Sequence, residues 1–179
     1  APIRQLASTR PVLVLTGARQ TGKTSLLRRL YPGHTFVSLD LPSEAEQADK
    51  HPRAFLQRYP GPVIFDEVQY APGLFRHLKG EVDKSRTSSG RFLLTGSADL
   101  LLLPQLSDSL AGRIEFIHLH PLSEAEKNRS AGTFLSTLLA GKLKGEIKGE
   151  SHEPASALAA QLVAGGYPEP LTRSPERAR

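Results

Sequence analysis

The chain has 179 residues, 39% of them hydrophobic, with 23 Lys and Arg against 18 Asp and Glu for a net charge of +5. That suffices for one substantial core plus a small appendage, and the positive balance suits an anionic partner such as a nucleotide or DNA. The lack of cysteine excludes a disulfide framework or a thiolate zinc site. No apolar run approaches the roughly 18 residues of a membrane helix, and Ala1-Pro2-Ile3-Arg4 is not a signal peptide, so a cytoplasmic protein with no membrane partner is expected. The sequence contains no methionine, which fits a fragment of a longer product.

Pro2 to Arg10 reads as a basic lead-in segment without a motif. Val12 to Thr16 is an unbroken apolar run, as suits a parallel strand covered on both faces. It runs into Gly17-Ala18-Arg19-Gln20-Thr21-Gly22-Lys23-Thr24-Ser25, in which Gly17 to Thr24 fits G-x-x-x-x-G-K-[ST]. Glycines let a backbone turn with positive φ and approach a ligand closely, and the N–H groups of the loop and following helix then converge on one anion. In such a cradle Lys23 meets the β- and γ-phosphates of a nucleoside triphosphate, and the Thr24 hydroxyl meets the Mg²⁺ that bridges them. Leu26, Leu27 and Leu30 have core spacing in the helix that follows, and Pro32-Gly33 ends it.

His34 to Leu39 reads as a second strand, with Asp40 at its carboxyl end either facing a ligand or, the favoured reading, capping the next helix. Two short helices, Ser43 to Lys50 and Pro52 to Tyr59, precede Pro60-Gly61-Pro62. Val63-Ile64-Phe65-Asp66-Glu67-Val68-Gln69 then delivers two carboxylates at the end of a buried strand, which is costly unless a cation meets them. Asp66 is expected to hold Mg²⁺ directly or through its water, and Glu67 to polarise a water in line with the γ-phosphate.

Pro72 to Lys84 patterns as a helix, and Arg91 to Thr95 as a fourth strand ending in Thr95-Gly96-Ser97. A hydroxyl there either bonds the attacking water or γ-phosphate, or, at Ser97, caps a helix over Ala98 to Leu103. After a short helical piece over Gln105 to Leu110, Arg113 leads into the fifth strand, Ile114 to Leu119. At its foot Arg113 either reaches a phosphate on a neighbouring subunit or holds an acidic partner within its own. His118 and His120 share one face of the strand and read as a structural pair rather than metal ligands. Ser123 and Glu126 have capping-box spacing. From Lys127 onward the chain is polar and basic, with helical pieces at Phe134 to Ala140 and Pro154 to Ala164, then Gly165-Gly166-Tyr167-Pro168-Glu169.

Alternating strands and helices predict an α/β fold with right-handed crossovers, the three-layer αβα sandwich of the P-loop NTPases. Residues 1–122 would form the core and 123–179 a small helical extension opening a truncated C-terminal region. The loop at Gly17 to Thr24, Phe65-Asp66-Glu67-Val68-Gln69, Leu94-Thr95-Gly96-Ser97, Leu110-Ala111-Gly112-Arg113 and Gly165-Gly166-Tyr167-Pro168-Glu169 together resemble an AAA-type ATPase family of bacteria and archaea. The usual proline after the first loop glycine is Ala18 here. The resemblance implies a five-stranded parallel sheet of order 5-1-4-3-2, with ATP and Mg²⁺ as cofactors. It makes Glu67 and Lys23 catalytic, Thr24 and Asp66 the metal residues, Ser97 or Thr95 a sensor, and Arg113 an arginine finger or switch. Family members usually continue into a winged-helix region and a nuclease-like effector domain. The expected function is Mg²⁺-dependent ATP hydrolysis coupled to conformational change or a DNA-related process, in a chain able to form homo-oligomers. The alternatives are a nucleotide-gated interaction switch with little turnover, or a small-molecule kinase.

Overall fold

The structure, a computed structural model, describes residues 2–85, 88–97, 110, 112–130, 132, 134–142 and 154–172. The chain divides into two compact units, Ala1–His120 and Pro121–Arg179.

In the first unit, β1 (Val12–Thr16), β2 (Thr35–Ser38), β3 (Val63–Asp66), β4 (Phe92–Thr95) and β5 (Ile114–His118) form one sheet of order β2-β3-β4-β1-β5. All four pairings are parallel, so the sheet has the order expected from the resemblance. Alternation along the strands explains the unbroken apolar runs. Val12, Val14, Val63, Phe65, Phe92 and Leu94 point into one core, while Leu13, Leu15, Ile64 and Leu93 point into the other.

The first core is closed by α3 (Pro42–Lys50), α4 (Pro52–Arg58) and α5 (Leu74–Lys84) through Ala48, Phe55, Leu56, Leu74, Phe75, Leu78 and Val82. The second is closed by α1 (Pro2–Ala7) and α2 (Lys23–Leu30) through Ala7 and Leu27. At the centre of the first core the Phe65 ring lies 5.4 Å from Phe55 and 6.3 Å from Phe92. Truncating Phe65 to alanine therefore costs about 3–5 kcal/mol, which would loosen the strand that carries Asp66.

Two local expectations are corrected. Asp40 does not cap α3: the capping position is Leu41, without a side-chain bond, and Pro42 supplies the fixed φ of a first helical residue. The helix expected from Pro72 starts only at Leu74, after a 3₁₀ turn at Val68–Tyr70, and the Gly73 N–H before it donates to Asp49 Oδ1 at 2.7 Å. The helices expected at Ala98 to Leu103 and over most of Gln105 to Leu110 fall outside the described residues.

The second unit contains α6 (Glu124–Lys127), α7 (Phe134–Leu139), α8 (Ala155–Ala164) and α9 (Pro168–Thr172). Ser123 and Glu126 form the reciprocal capping box that their spacing predicts. Gly165 has φ +61°, and at Gly166 a Cβ would run into the Leu122 carbonyl oxygen. The Leu122 N–H donates to Gly166 O at 2.7 Å and Lys127 Nζ to Gly165 O at 3.0 Å, so this glycine pair is a structural clasp.

Candidate functional site

The site forms at the carboxyl ends of β1, β3 and β4, where a parallel sheet opens onto the amino end of a helix. Thr16 closes β1, and Gly17 follows with φ +146°. A Cβ at Gly17 would strike the Leu119 carbonyl oxygen, because the Leu119 N–H donates to Thr16 O at 2.8 Å and draws the two segments together. Gln20 at φ +63° and Gly22 at φ +90° complete the turn, and Gly22 is the capping position of α2. No side chain caps that helix, so its first N–H groups are left to a ligand or water. Thr21 Oγ1 donates to Ala18 O at 2.9 Å and braces the loop. Arg19, Gln20 and Ser25 are exposed at its rim.

Lys23 is 5% exposed. Its ammonium group donates to the carbonyls of Gly17 at 3.0 Å and Ala18 at 2.8 Å, which places the charge inside the loop. Burial lowers its pKa from the ordinary lysine value of 10.5, Glu67 and Asp66 oppose that shift, and Arg19 adds to it. A cation held by neutral carbonyls and facing two carboxylates is only partly compensated, and anionic phosphate oxygens would complete its shell.

Asp66, 7% exposed at the end of β3, sits between two hydroxyls. Thr24 Oγ1 donates to Asp66 Oδ1 at 2.7 Å, and Thr95 Oγ1 donates to the same oxygen. Thr95 in turn accepts the Glu67 N–H at 3.2 Å. The loop helix, β3 and β4 are thereby tied at one carboxylate oxygen, surrounded by hard oxygen donors of the kind Mg²⁺ takes. Glu67 adopts the left-handed backbone region, φ 57° and ψ 48°. With Asp66 it lines a cleft of about 310 Å³, whose other walls are Arg19, Gln20, Ser38, Asp40 and Tyr70.

The other candidates separate. Thr95 meets Asp66 itself, while Ser97 is half-buried two residues beyond it, at the edge of the described segment. Arg113 immediately precedes β5, whose first residue Ile114 pairs with Val12 and whose last, His118, pairs with Thr16, so at least about 13 Å of strand separates it from the loop end of the sheet. It makes a bidentate contact with Asp83, Nε to Oδ1 at 2.7 Å and a terminal nitrogen to Oδ2 at 3.1 Å. Of the two roles expected for Arg113, an acidic partner within its own chain is therefore the geometry found. His118 and His120 lie 4.5 Å apart by ring centroid, and His118 Nδ1 is 3.3 Å from Thr16 Oγ1. Among the described residues no three His, Asp or Glu side chains group around a metal position.

Sequence reasoning assigned no role to Ser38, Tyr70 or Gln69. Tyr70 and Gln69 lie in a 3₁₀ turn that has no periodic signature, and Ser38 is one hydroxyl among many. Gln69 belongs to the stretch that carries the family resemblance, directly behind the two carboxylates, and that position was its one signal.

This arrangement defines a nucleotide-binding, ATPase-like site on a P-loop fold. Residues 9–128 match the AAA domain family, and the chain belongs to it. Two relatives, the uncharacterized proteins Rv2008c of Mycobacterium tuberculosis and Mb2031c of Mycobacterium bovis, are each 37% identical over 134 residues, 73% of this chain. The chain spans 30% of their length. Among solved structures it is similar to the Walker-type ATPase PABY2304 of Pyrococcus abyssi, at 16% identity and TM-score 0.47, covering 94% of this chain and 63% of that one. A signal-transduction ATPase with a tetratricopeptide-repeat sensor from Pyrococcus horikoshii gives 14% identity and TM-score 0.43, covering 94% of this chain and 28% of that one.

Proposed function

We propose that this domain binds ATP with Mg²⁺ and hydrolyses it, and that the Thr24–Asp66–Thr95 junction beside Lys23 is the observation that carries this reading. The loop N–H groups and Lys23 bind the triphosphate, the ammonium exchanging the carbonyls of Gly17 and Ala18 for phosphate oxygens. Thr24 and Asp66 hold the metal ion, which when bound neutralises charge on the β- and γ-phosphate oxygens. Glu67 accepts a proton from the attacking water and orients it toward the γ-phosphate. The bond from water oxygen to phosphorus forms as the bond to the β,γ-bridging oxygen breaks, and ADP and phosphate leave. Ser97 is assigned the γ-phosphate contact, since Thr95 already holds Asp66.

The engagement of Arg113 by Asp83 supports a second reading, a nucleotide-gated switch that turns over slowly unless another chain supplies a cation. A second copy, and an effector region beyond the AAA domain, belong to the same proposal. DNA as the coupled partner is supported by a groove of about 800 Å³ between α4 and α5, lined by Arg53, Arg76, His77, Lys84 and Glu81, the last two paired with each other. Arg53 and Arg76 are exposed and make no ion pair among the described residues.

The test is Mg²⁺-dependent phosphate release from ATP by the full chain and by Glu67→Gln, across a concentration series with and without DNA. Turnover lost in Glu67→Gln while ATP still binds supports hydrolysis. ATP binding without turnover under every condition leaves the switch.

A further inference from the structure

Glu67 stands in a conformation that its own backbone does not favour. A non-glycine residue in the left-handed region is uncommon and persists where its surroundings hold it. Here two bonds hold it. Its N–H donates to Thr95 Oγ1 at 3.2 Å, and its side-chain Oε2 accepts from Gln69 Nε2 at 2.5 Å. The positive φ at Glu67 folds the chain into the 3₁₀ turn Val68–Tyr70, which brings the side chains of residues 67 and 69 together.

We infer that Gln69 is the positioning residue of this site: its amide fixes the Glu67 carboxylate toward the attacking water. The inference rests on the assignment of Glu67 as the base. An unheld glutamate samples several rotamers, whereas a carboxylate fixed through Oε2 keeps its other oxygen in a defined direction. The chemistry of an amide suits this task. It donates a hydrogen bond without carrying charge, so it orients the carboxylate without neutralising it as a lysine or arginine would.

The same amide orientation leaves Gln69 Oε1 buried, with no hydrogen-bond partner among the described residues. Reversing the amide would place that oxygen against Glu67 Oε2, two acceptors face to face. The orientation is therefore set by the donor that Glu67 needs, and the orphaned carbonyl is the cost of keeping it there. A side chain serving only to fill the turn would be better as an apolar residue, since a buried acceptor without a donor is destabilising.

The experiment measures kcat, KM and the Kd for Mg²⁺-ATP of the full chain carrying Gln69→Leu, the near-isosteric Gln69→Glu and the donor-retaining Gln69→His, each also combined with Glu67→Gln. Circular dichroism and thermal melting establish that each variant folds, and Gln69→Glu keeps the shape should the leucine variant fail. Loss of the donor is expected to lower kcat by about 10- to 100-fold, the scale of a small misplacement of a reacting group. The Kd should stay within about twofold, and Gln69→His should recover part of the rate. In the Glu67→Gln background Gln69→Leu should lower the residual rate no further, because a residue acting only through Glu67 has nothing left to position. Equal kcat in wild type and Gln69→Leu, a fall in nucleotide affinity matching the fall in rate, or independent effects in the double variant would each overturn the positioning role. No turnover by the wild type would remove the hydrolysis reading and this inference with it, an outcome distinct from equal rates in active proteins.

Discussion

Thr24 and Asp66, 42 residues apart in sequence, share a 2.7 Å hydrogen bond that ties the helix after the phosphate loop to the end of β3. The bond preorganises the two oxygens assigned to Mg²⁺, and Thr95 donates to the same carboxylate oxygen from β4. Replacing Asp66 by alanine leaves both hydroxyls without this acceptor. A loss of about 2 kcal/mol is expected, a fall of about 4–8 °C in Tm for a chain of this size. Asp66→Asn keeps the shape and is expected to fold. In the wild type Mg²⁺ should strengthen ATP binding, and in Asp66→Asn that enhancement should vanish, as titration with and without the metal would reveal.

Gly17 is the loop position with least freedom. Its φ of +146° and the Leu119 carbonyl against its Cα leave no place for a side chain. Gly17→Ala should destabilise the domain by about 1–3 kcal/mol through overpacking and displace the loop from β5. Gly80 in α5 provides the control, since a Cβ there meets nothing within 4 Å. Gly80→Ala should stabilise the helix by up to about 1 kcal/mol. Thermal melting of the two variants would have opposite signs, and only Gly17→Ala should lose nucleotide binding.

The phosphate loop, the paired carboxylates and the alternation of strands with helices were legible because each is a local pattern with a chemical reason. The buried runs at Val12 to Thr16 and Val63 to Asp66 announced a sheet covered on both faces. The strand order was not written in any periodicity and came from family resemblance. The choice between the two partners expected for Arg113 was open for a similar reason. Its place at the foot of β5 was readable, but which end of the sheet faced the loop, and that Asp83 would arrive at the end of α5, depended on tertiary packing. Asp40 failed as a cap because Leu41 and Pro42 start α3 one residue later. Gln69 stands in the stretch that carries the resemblance, but its contact with Glu67 was not legible because a 3₁₀ turn of three residues carries no repeat.

Lys23 gives the site a pH signature. Burial lowers its pKa below 10.5, so between the folded value and 10.5 the unfolded chain binds more protons than the folded one. By linkage, stability then rises with pH across that window, and the penalty of burying the charged ammonium is greatest below it. Lys23→Met removes the titrating group. The difference in Tm between wild type and Lys23→Met, measured from about pH 8 to pH 10.5, should shift in favour of the wild type as pH rises. A difference that stays flat would mean that the ammonium is fully compensated by its carbonyl partners. The same variant should lose ATP binding, since no other buried cation among the described residues stands in the loop.

The groove between α4 and α5 gives the DNA proposal its test. Acidic side chains of this layer are already engaged: Glu44 by Arg58, Glu46 by Lys50, and Glu81 by Lys84 and Arg91. Arg53 and Arg76 line the groove together with the paired Glu81 and Lys84. Among the described residues no Phe, Tyr or Trp lines it, so the groove as described offers bases no stacking platform and duplex phosphates are the better match. Each phosphate neutralised on duplex DNA contributes about 0.9 to the slope of log affinity against log salt. Arg53→Ser combined with Arg76→Ser should therefore reduce that slope by roughly two units, with ATP affinity unchanged. Fluorescence anisotropy of a labelled duplex across a salt series provides the measurement. An unaltered slope would remove this groove from DNA binding, whereas a shallower slope with intact nucleotide binding would separate the two surfaces of the domain.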